Sequence, residues 1–139
     1  MQRIFRGFSD GACRSFQQHA AWGVLLIDQF GDRTEKYKYI GRASNNVAEY
    51  RGLIGALDLA VSLGAQRLSM NMDSELVVLQ VTGVYRVSKP ELATLLNEAK
   101  TLIARIPTFT IQHVYRDKNQ EADALANRAI DDFIQQEKK

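Results

Sequence analysis

The sequence predicts an α/β fold, a five-stranded mixed sheet flanked by helices in the element order βββαβααβα. Three observations carry this expectation. Strand-like runs separated by turn residues occupy the chain up to Arg42. From Asn46 the apolar spacing lengthens to that of an amphipathic helix. Beyond that point short strands alternate with helical stretches, and strands joined through helices pair in parallel. Three antiparallel strands are therefore followed by two parallel ones.

The first strand, Ile4 to Ser9, ends at Asp10-Gly11, a break signal. The second, Ala20 to Phe30, enters the hairpin turn Asp28-Gln29-Phe30-Gly31-Asp32. In the third, Thr34 to Arg42, Tyr37 and Tyr39 alternate with Lys36 and Lys38. Tyr50, Leu53, Ile54, Leu57, Ala60 and Val61 form the stripe of the first helix, and Gly64 closes it. Leu68, Met70 and Met72 share one face of a short strand, Arg67 to Met72. Asp73-Ser74 opens a helix over Glu75 to Val81, which stops at Thr82-Gly83. Lys89-Pro90 starts the next, where proline suits the first turn; Leu92, Leu95, Leu96, Ala99, Leu102 and Ile103 give its stripe. A fifth strand, Thr108 to Val114, follows Pro107. The last helix runs from about Lys118 to Gln135, with Ala122, Leu125, Ala126, Ala129, Ile130 and Phe133 inward.

At 139 residues the chain is expected to form one domain, residues 1–139, with 135–139 as a frayed tail. Its 45% hydrophobic and 24% charged residues are ordinary for a globular protein. The single cysteine, Cys13, excludes an internal disulfide framework and a Cys-rich zinc site. A net charge of +2 excludes a strongly basic nucleic-acid tail while permitting a local basic patch. The longest apolar run, Trp22 to Ile27, falls far short of the ~20 residues of a spanning helix. Met1 to Arg6 carries no secretory h-region. A cytoplasmic monomer without a membrane partner is the expectation.

Four carboxylates sit where this architecture collects them. Asp10 ends the first strand, Glu49 lies in the first turn of the first helix, Asp73 follows the fourth strand, and Asp123 lies near the start of the last helix. The carboxyl ends of parallel strands form the functional edge of such sheets. Clustered carboxylates repel one another and call for cations. All-oxygen ligation without a histidine or cysteine cluster favours Mg²⁺ or Mn²⁺. Each acid also has a structural explanation. Glu49 is spaced for a capping box with Asn46, Asp73 for a helix cap, Asp123 for the helix dipole, and Asp10-Gly11 for a turn. The case for chemistry rests on the four together.

The blocks Phe8-Ser9-Asp10-Gly11-Ala12, Asn45-Asn46-Val47-Ala48-Glu49, Met72-Asp73-Ser74 and Arg116 to Asn127 occur in the order found in type 1 ribonuclease H. From Arg3 to about Asp131 the chain resembles that family. The resemblance implies a ribonuclease H-like fold and a Mg²⁺-dependent endonuclease that cuts the RNA strand of RNA–DNA hybrids. It implies 5′-phosphate and 3′-hydroxyl products and two metal ions, with Mn²⁺ as a substitute. Asp10 would be shared by both ions and Asp123 would help bind the one that activates water. Glu49 and Asp73 would hold the ion facing the leaving 3′-oxygen. Ser44, Asn45 and Asn46 resemble substrate contacts around the DNA strand and minor groove. The backbone at Gly11 and Ala12 would approach the RNA. Groove recognition through 2′-hydroxyls and neutral amides implies little sequence preference.

The chain departs from the family in several places. Cys13 to Ala21 lacks the Gly-Asn-Pro-Gly pattern of many members, and Arg14 reads as a solvated loop arginine or a phosphate contact. Glu75 stands where many bacterial members have glutamine. Thr82 to Ser88 leaves no room for the extra helix and basic protrusion; Tyr85, Arg86 and Lys89 are what remains of a handle. His113 falls within the fifth strand, so Arg116 is the better candidate to position phosphate or water. His19 reads as a loop residue. Double-stranded RNA is a second candidate substrate. Two alternative readings are a junction resolvase, which the Asn-Asn-x-x-Glu block opposes, and a non-catalytic module binding hybrid or double-stranded RNA, which four retained acids oppose.

Overall fold

Five strands pair in the order β3-β2-β1-β4-β5. They are β1 (Ile4–Arg14), β2 (His19–Asp28), β3 (Arg33–Gly41), β4 (Arg67–Met72) and β5 (Thr108–His113). The computed structural model describes residues 2–138; Met1 and Lys139, the two ends of the expected domain, lie outside the described residues. β1, β2 and β3 form an antiparallel meander, while β1 with β4 and β4 with β5 pair in parallel. The helices are α1 (Asn45–Ser62), α2 (Glu75–Val81), α3 (Pro90–Ile103) and α4 (Gln120–Glu137), with a single 3-10 turn over Arg116–Lys118. Element order and mixed sheet are as expected. No described helix is long and apolar enough to cross a membrane.

The main core lies between the sheet and α1, with α3 and α2 packed outside it. α1 is buried more widely than one stripe, through Ala48, Gly52, Gly55 and Ala56, because the sheet and α3 cover it from two sides. α4 covers the other face across β1, β2 and β3. There Ala21, Ala129 and Ile130 form a small cluster, and Phe133 stacks on Tyr39 with ring centroids 3.9 Å apart.

Several boundaries shift by one or two residues, and the differences at the end of β1 and the end of α4 change the reading of those segments. Asp10-Gly11 is not a break, since β1 continues to Arg14 and pairs with β2 as far as Arg14↔His19. An antiparallel partner satisfies the backbone there, which local turn propensity does not register. The turn falls instead at Ser15, Phe16 and Gln17, all with positive φ. His19 is accordingly the first residue of β2, half-buried, with Nδ1 2.8 Å from the Tyr39 hydroxyl. At the other end α4 extends through Glu137, so residues 135–137 of the expected frayed tail are helical.

Glycine sets how closely the helices approach. A Cβ at Gly23 would lie 2.4 Å from the Ala122 carbonyl oxygen and 2.6 Å from the Ala126 nitrogen of α4. A Cβ at Gly11 would lie 2.5 Å from backbone atoms of Ala48 and Glu49 in α1. Backbone cannot yield as a side-chain tip does. Gly23→Ala is therefore expected to lower unfolding free energy by about 1–3 kcal/mol, the cost of overpacking, as read from urea denaturation. Undiminished stability would mean that α4 is not seated on β2 at this point.

Candidate active site

The parallel ladder between β1 and β4 ends at the rung Ser9↔Met72. Asp10 and Asp73 are each the next residue, so they emerge side by side on adjacent strands. Asp10 is thus a mid-strand residue at a notch where β4 stops while β1 and β2 continue, rather than a strand end. It is 4% exposed.

Helix capping does not claim the other acids. Ser44 is the N-cap of α1, its hydroxyl accepting from the Val47 N–H at 3.2 Å. Glu49 therefore lies beyond the first turn, and the capping box with Asn46 does not form. Ser74 caps α2 in the same way, accepting from Val77 at 3.3 Å. Asp73, one residue earlier, is left free of that task. Asp123 does lie in the first turn of α4, where the helix dipole favours it.

One oxygen from each of Asp10, Glu49 and Asp73 falls within 4.8 Å of the other two. Asp123 stands outside this trio but lines the same cavity of about 260 Å³, with Gly11, Asn45, Asn46, Ser74 and Arg116. Eight of the ten site residues singled out from the sequence therefore meet there. Two do not. Ser44 is engaged as a cap, and Ala12 packs against the Ala21–Ala129–Ile130 cluster. Arg116 is exposed, its Nε 3.9 Å from Asp73 Oδ2. His113, exposed at the last rung of β5, is not among the lining residues; its ring meets Tyr115 edge-on.

The electrostatics are those of acids crowded into one notch. Burial pushes the Asp10 carboxyl well above the usual carboxylate range, and neighbouring Glu49, Asp73 and Asp123 push it further. Glu49 is also raised, chiefly by burial, with its hydrogen bond to Asp10 opposing. Glu49 Oε2 is buried without a hydrogen-bond partner. A donor set of clustered carboxylate oxygens, one of them orphaned, fits a hard divalent cation.

Sequence reasoning gave no role to Asn119. It is 1% exposed, and its Nδ2 donates to the Ser9 carbonyl at 2.9 Å and to Asp73 Oδ1 at 3.0 Å. It ties the start of α4 to β1 and fixes the Asp73 carboxylate. Its place just before a helix was the available signal. Arg14 is not a loop residue: it ends β1 and bonds to Asn127 and Asp131 of α4. Cys13 donates to the Ala43 carbonyl.

Known proteins resemble this chain in sequence and fold. The reverse transcriptase-like family matches residues 8–129. A bifunctional protein of Mycobacterium tuberculosis is 42% identical over 125 residues, covering 88% of this chain. The chain spans only 34% of that relative's length. The crystal structure of RNase H1 from Halobacterium salinarum superposes with a TM-score of 0.89 at 38% identity, covering 93% of this chain and 98% of that one. LC11-RNase H1, isolated from compost, was solved in complex with RNA/DNA hybrid; it matches at 35% identity and TM-score 0.87, covering 94% and 99% of the two chains.

Raised carboxyl pKa values make the metal-free fold sensitive to pH. Unfolded carboxyls lose their protons near pH 4, whereas folded Asp10 and Glu49 retain theirs to higher pH. The folded state then binds more protons, so stability declines as pH rises from about 4 through neutrality. In EDTA, Asp10→Asn is expected to flatten this decline and to stabilise the protein at pH 7.5 by about 1–3 kcal/mol. Millimolar Mg²⁺ should reduce the difference. Thermal melts across pH check this, and an equally steep decline in the variant would refute it.

Proposed function

Because this chain belongs to the type 1 ribonuclease H family, we propose that it is a divalent-metal-dependent endonuclease that hydrolyses the RNA strand of RNA–DNA hybrids. The products are 5′-phosphate and 3′-hydroxyl ends, and sequence preference is weak. The observation that carries this reading is the convergence of Asp10, Glu49 and Asp73 on one point, with a buried oxygen of Glu49 left unpartnered. A binding module gains nothing from buried, mutually repelling acids that also repel its ligand.

Asp10, Glu49, Asp73 and Asp123 would hold two Mg²⁺ ions, with Mn²⁺ as substitute. When bound, such a pair supplies an activated water on one side of the phosphate and stabilises the leaving oxygen on the other. The chain's own residues do the rest. Asp10, fixed in the sheet between the two helices, sets the distance between the ligands contributed by α1 and α4. Arg116 places a permanent positive charge beside Asp73, where it orients a phosphate; its guanidinium stays protonated and is no base. Asn45 and Asn46 line the cavity with neutral amides suited to the edge of a minor groove. Gly11 lines the cavity with bare backbone, its missing side chain serving the close approach of α1, and the Ala12 backbone and Ser44, outside the cavity itself, are further substrate contacts that the family resemblance implies. Because α2 and α3 are joined without an intervening helix, the grip on the hybrid beyond the site is small.

End-labelled cleavage of hybrid, double-stranded RNA and double-stranded DNA in Mg²⁺ or Mn²⁺ tests the proposal. Internal cuts in the RNA of the hybrid are expected. Asp10→Asn should lower the rate at least about 10³-fold, roughly 4 kcal/mol of transition-state stabilisation. Tight hybrid binding without cleavage would instead support a non-catalytic module. Arg116→Ala should reduce kcat more than His113→Ala, and the reverse order would return a proton-transfer role to His113.

A further inference from the structure

We propose that Arg14 and Asn127 are positioning residues that aim the Asp123 carboxylate at the cation site, through a hydrogen-bonded chain running from the end of β1 along one stripe of α4. The inference rests on Asp123 being a cation ligand of the proposed nuclease.

Asp123, Asn127 and Asp131 follow one another at intervals of four on α4, so they stack along one side of the helix. Arg14 lies across them. Its Nη1 donates to Asp131 Oδ1 at 2.7 Å, and its Nη2 donates to Asn127 Oδ1 at 2.9 Å and to the Asn127 carbonyl at 3.3 Å. Asn127 Nδ2 in turn donates to Asp123 Oδ1 at 3.3 Å and to the Asp123 carbonyl at 3.0 Å.

The chain has one sense only. A guanidinium carries donors and no acceptor, so the Asn127 atom facing Arg14 is the amide oxygen. The amide nitrogen is thereby turned toward Asp123, whose Oδ1 accepts from it. Without Arg14 the amide can turn over and present its oxygen to the carboxylate, which breaks the bond and sets lone pairs against lone pairs. Asp131 holds the guanidinium in place. This pair is half-exposed and adds little stability of its own.

Asp123 depends on such a device more than its partners do. Asp10 is locked in the sheet, Glu49 is held by burial, and Asp73 is fixed by Asn119. Asp123 is half-buried on a helix and stands outside the close trio. With Oδ1 engaged by Asn127, Oδ2 is the oxygen left for the cation. Arg14 thus acts from the β1–β2 hairpin without touching the trio.

The test uses the full chain with Asn127→Leu, Asn127→Gln, Arg14→Leu, and Arg14→Leu combined with Asn127→Leu. Mn²⁺ binding is measured by calorimetry without substrate. Hybrid cleavage is followed against Mg²⁺ concentration, and Tm is recorded for each. Disturbing residues that orient a ligand typically costs 10–100-fold in metal affinity or activity. Asn127→Leu is expected to weaken Mn²⁺ binding and lower kcat about tenfold, with KM for hybrid within about twofold. Arg14→Leu should act in the same direction, and the double variant should be no worse than Asn127→Leu alone, because the two act in series. Asn127→Gln keeps an amide but displaces its donor, and it decides the matter should Asn127→Leu fail to fold. Unchanged Mn²⁺ affinity and kcat in folded variants, or additive losses that follow Tm, would overturn the inference. If the unmutated chain binds Mn²⁺ yet cuts no hybrid, the nuclease reading fails by itself, and the Mn²⁺ affinities of the variants still judge the relay.

Discussion

The structure depends on two helices approaching neighbouring strands almost to backbone contact from opposite faces of the sheet. Gly11 admits α1 and Gly23 admits α4. The residues they pair with occupy the same level of the sheet, Gly11 opposite Trp22 and Asp10 opposite Gly23. Trp22 itself is seated against Gly52 and Gly55 of α1. A side chain at either strand glycine would meet helix backbone at 2.4–2.6 Å and push that helix outward. Glu49 and Asp123 reach Asp10 because no such side chain is there.

This closeness stores electrostatic energy. Like charges gathered in a notch raise one another's proton affinity, and burial adds to the effect. The fold tolerates the cluster because packing elsewhere is firm: Tyr50, Leu53, Leu57 and Met72 are fully buried in the adjoining core. The local devices that would normally use acids are supplied by neutral residues. Serines cap α1 and α2, which frees Glu49 and Asp73 from capping. In the proposed nuclease, stability is thereby exchanged for affinity toward a cation, a common arrangement at sites of chemistry.

Beyond the acids, polar side chains join the elements that carry them. Asn119 links the start of α4 to β1 and to Asp73. The β1–β2 hairpin is fastened on two sides, to the loop before α1 through Ala43 with Cys13 and Gln17, and to α4 through Arg14. The surface expected to meet a hybrid is therefore continuous with the parts that hold the carboxylates. In the proposed complex the short α2–α3 connection would leave more of the grip to this hairpin and to the Asn45–Asn46 corner.

Much of this was legible in the sequence. Period-two and helical spacings determined the element order, and the four acidic blocks, each read from the sequence as the end or start of an element, pointed to a shared site. Those signals are local, and their physics acts over a few residues. What the tertiary structure alone decided is non-local. β1 runs through Asp10-Gly11 because β2 pairs with it, although the dipeptide by itself reads as a turn. Arg14 looks like a solvated residue until α4, more than a hundred positions later, supplies Asn127 and Asp131. Whether an acid caps a helix or faces a cation depends on which neighbouring hydroxyl reaches the backbone first, and that competition is settled only when the elements pack.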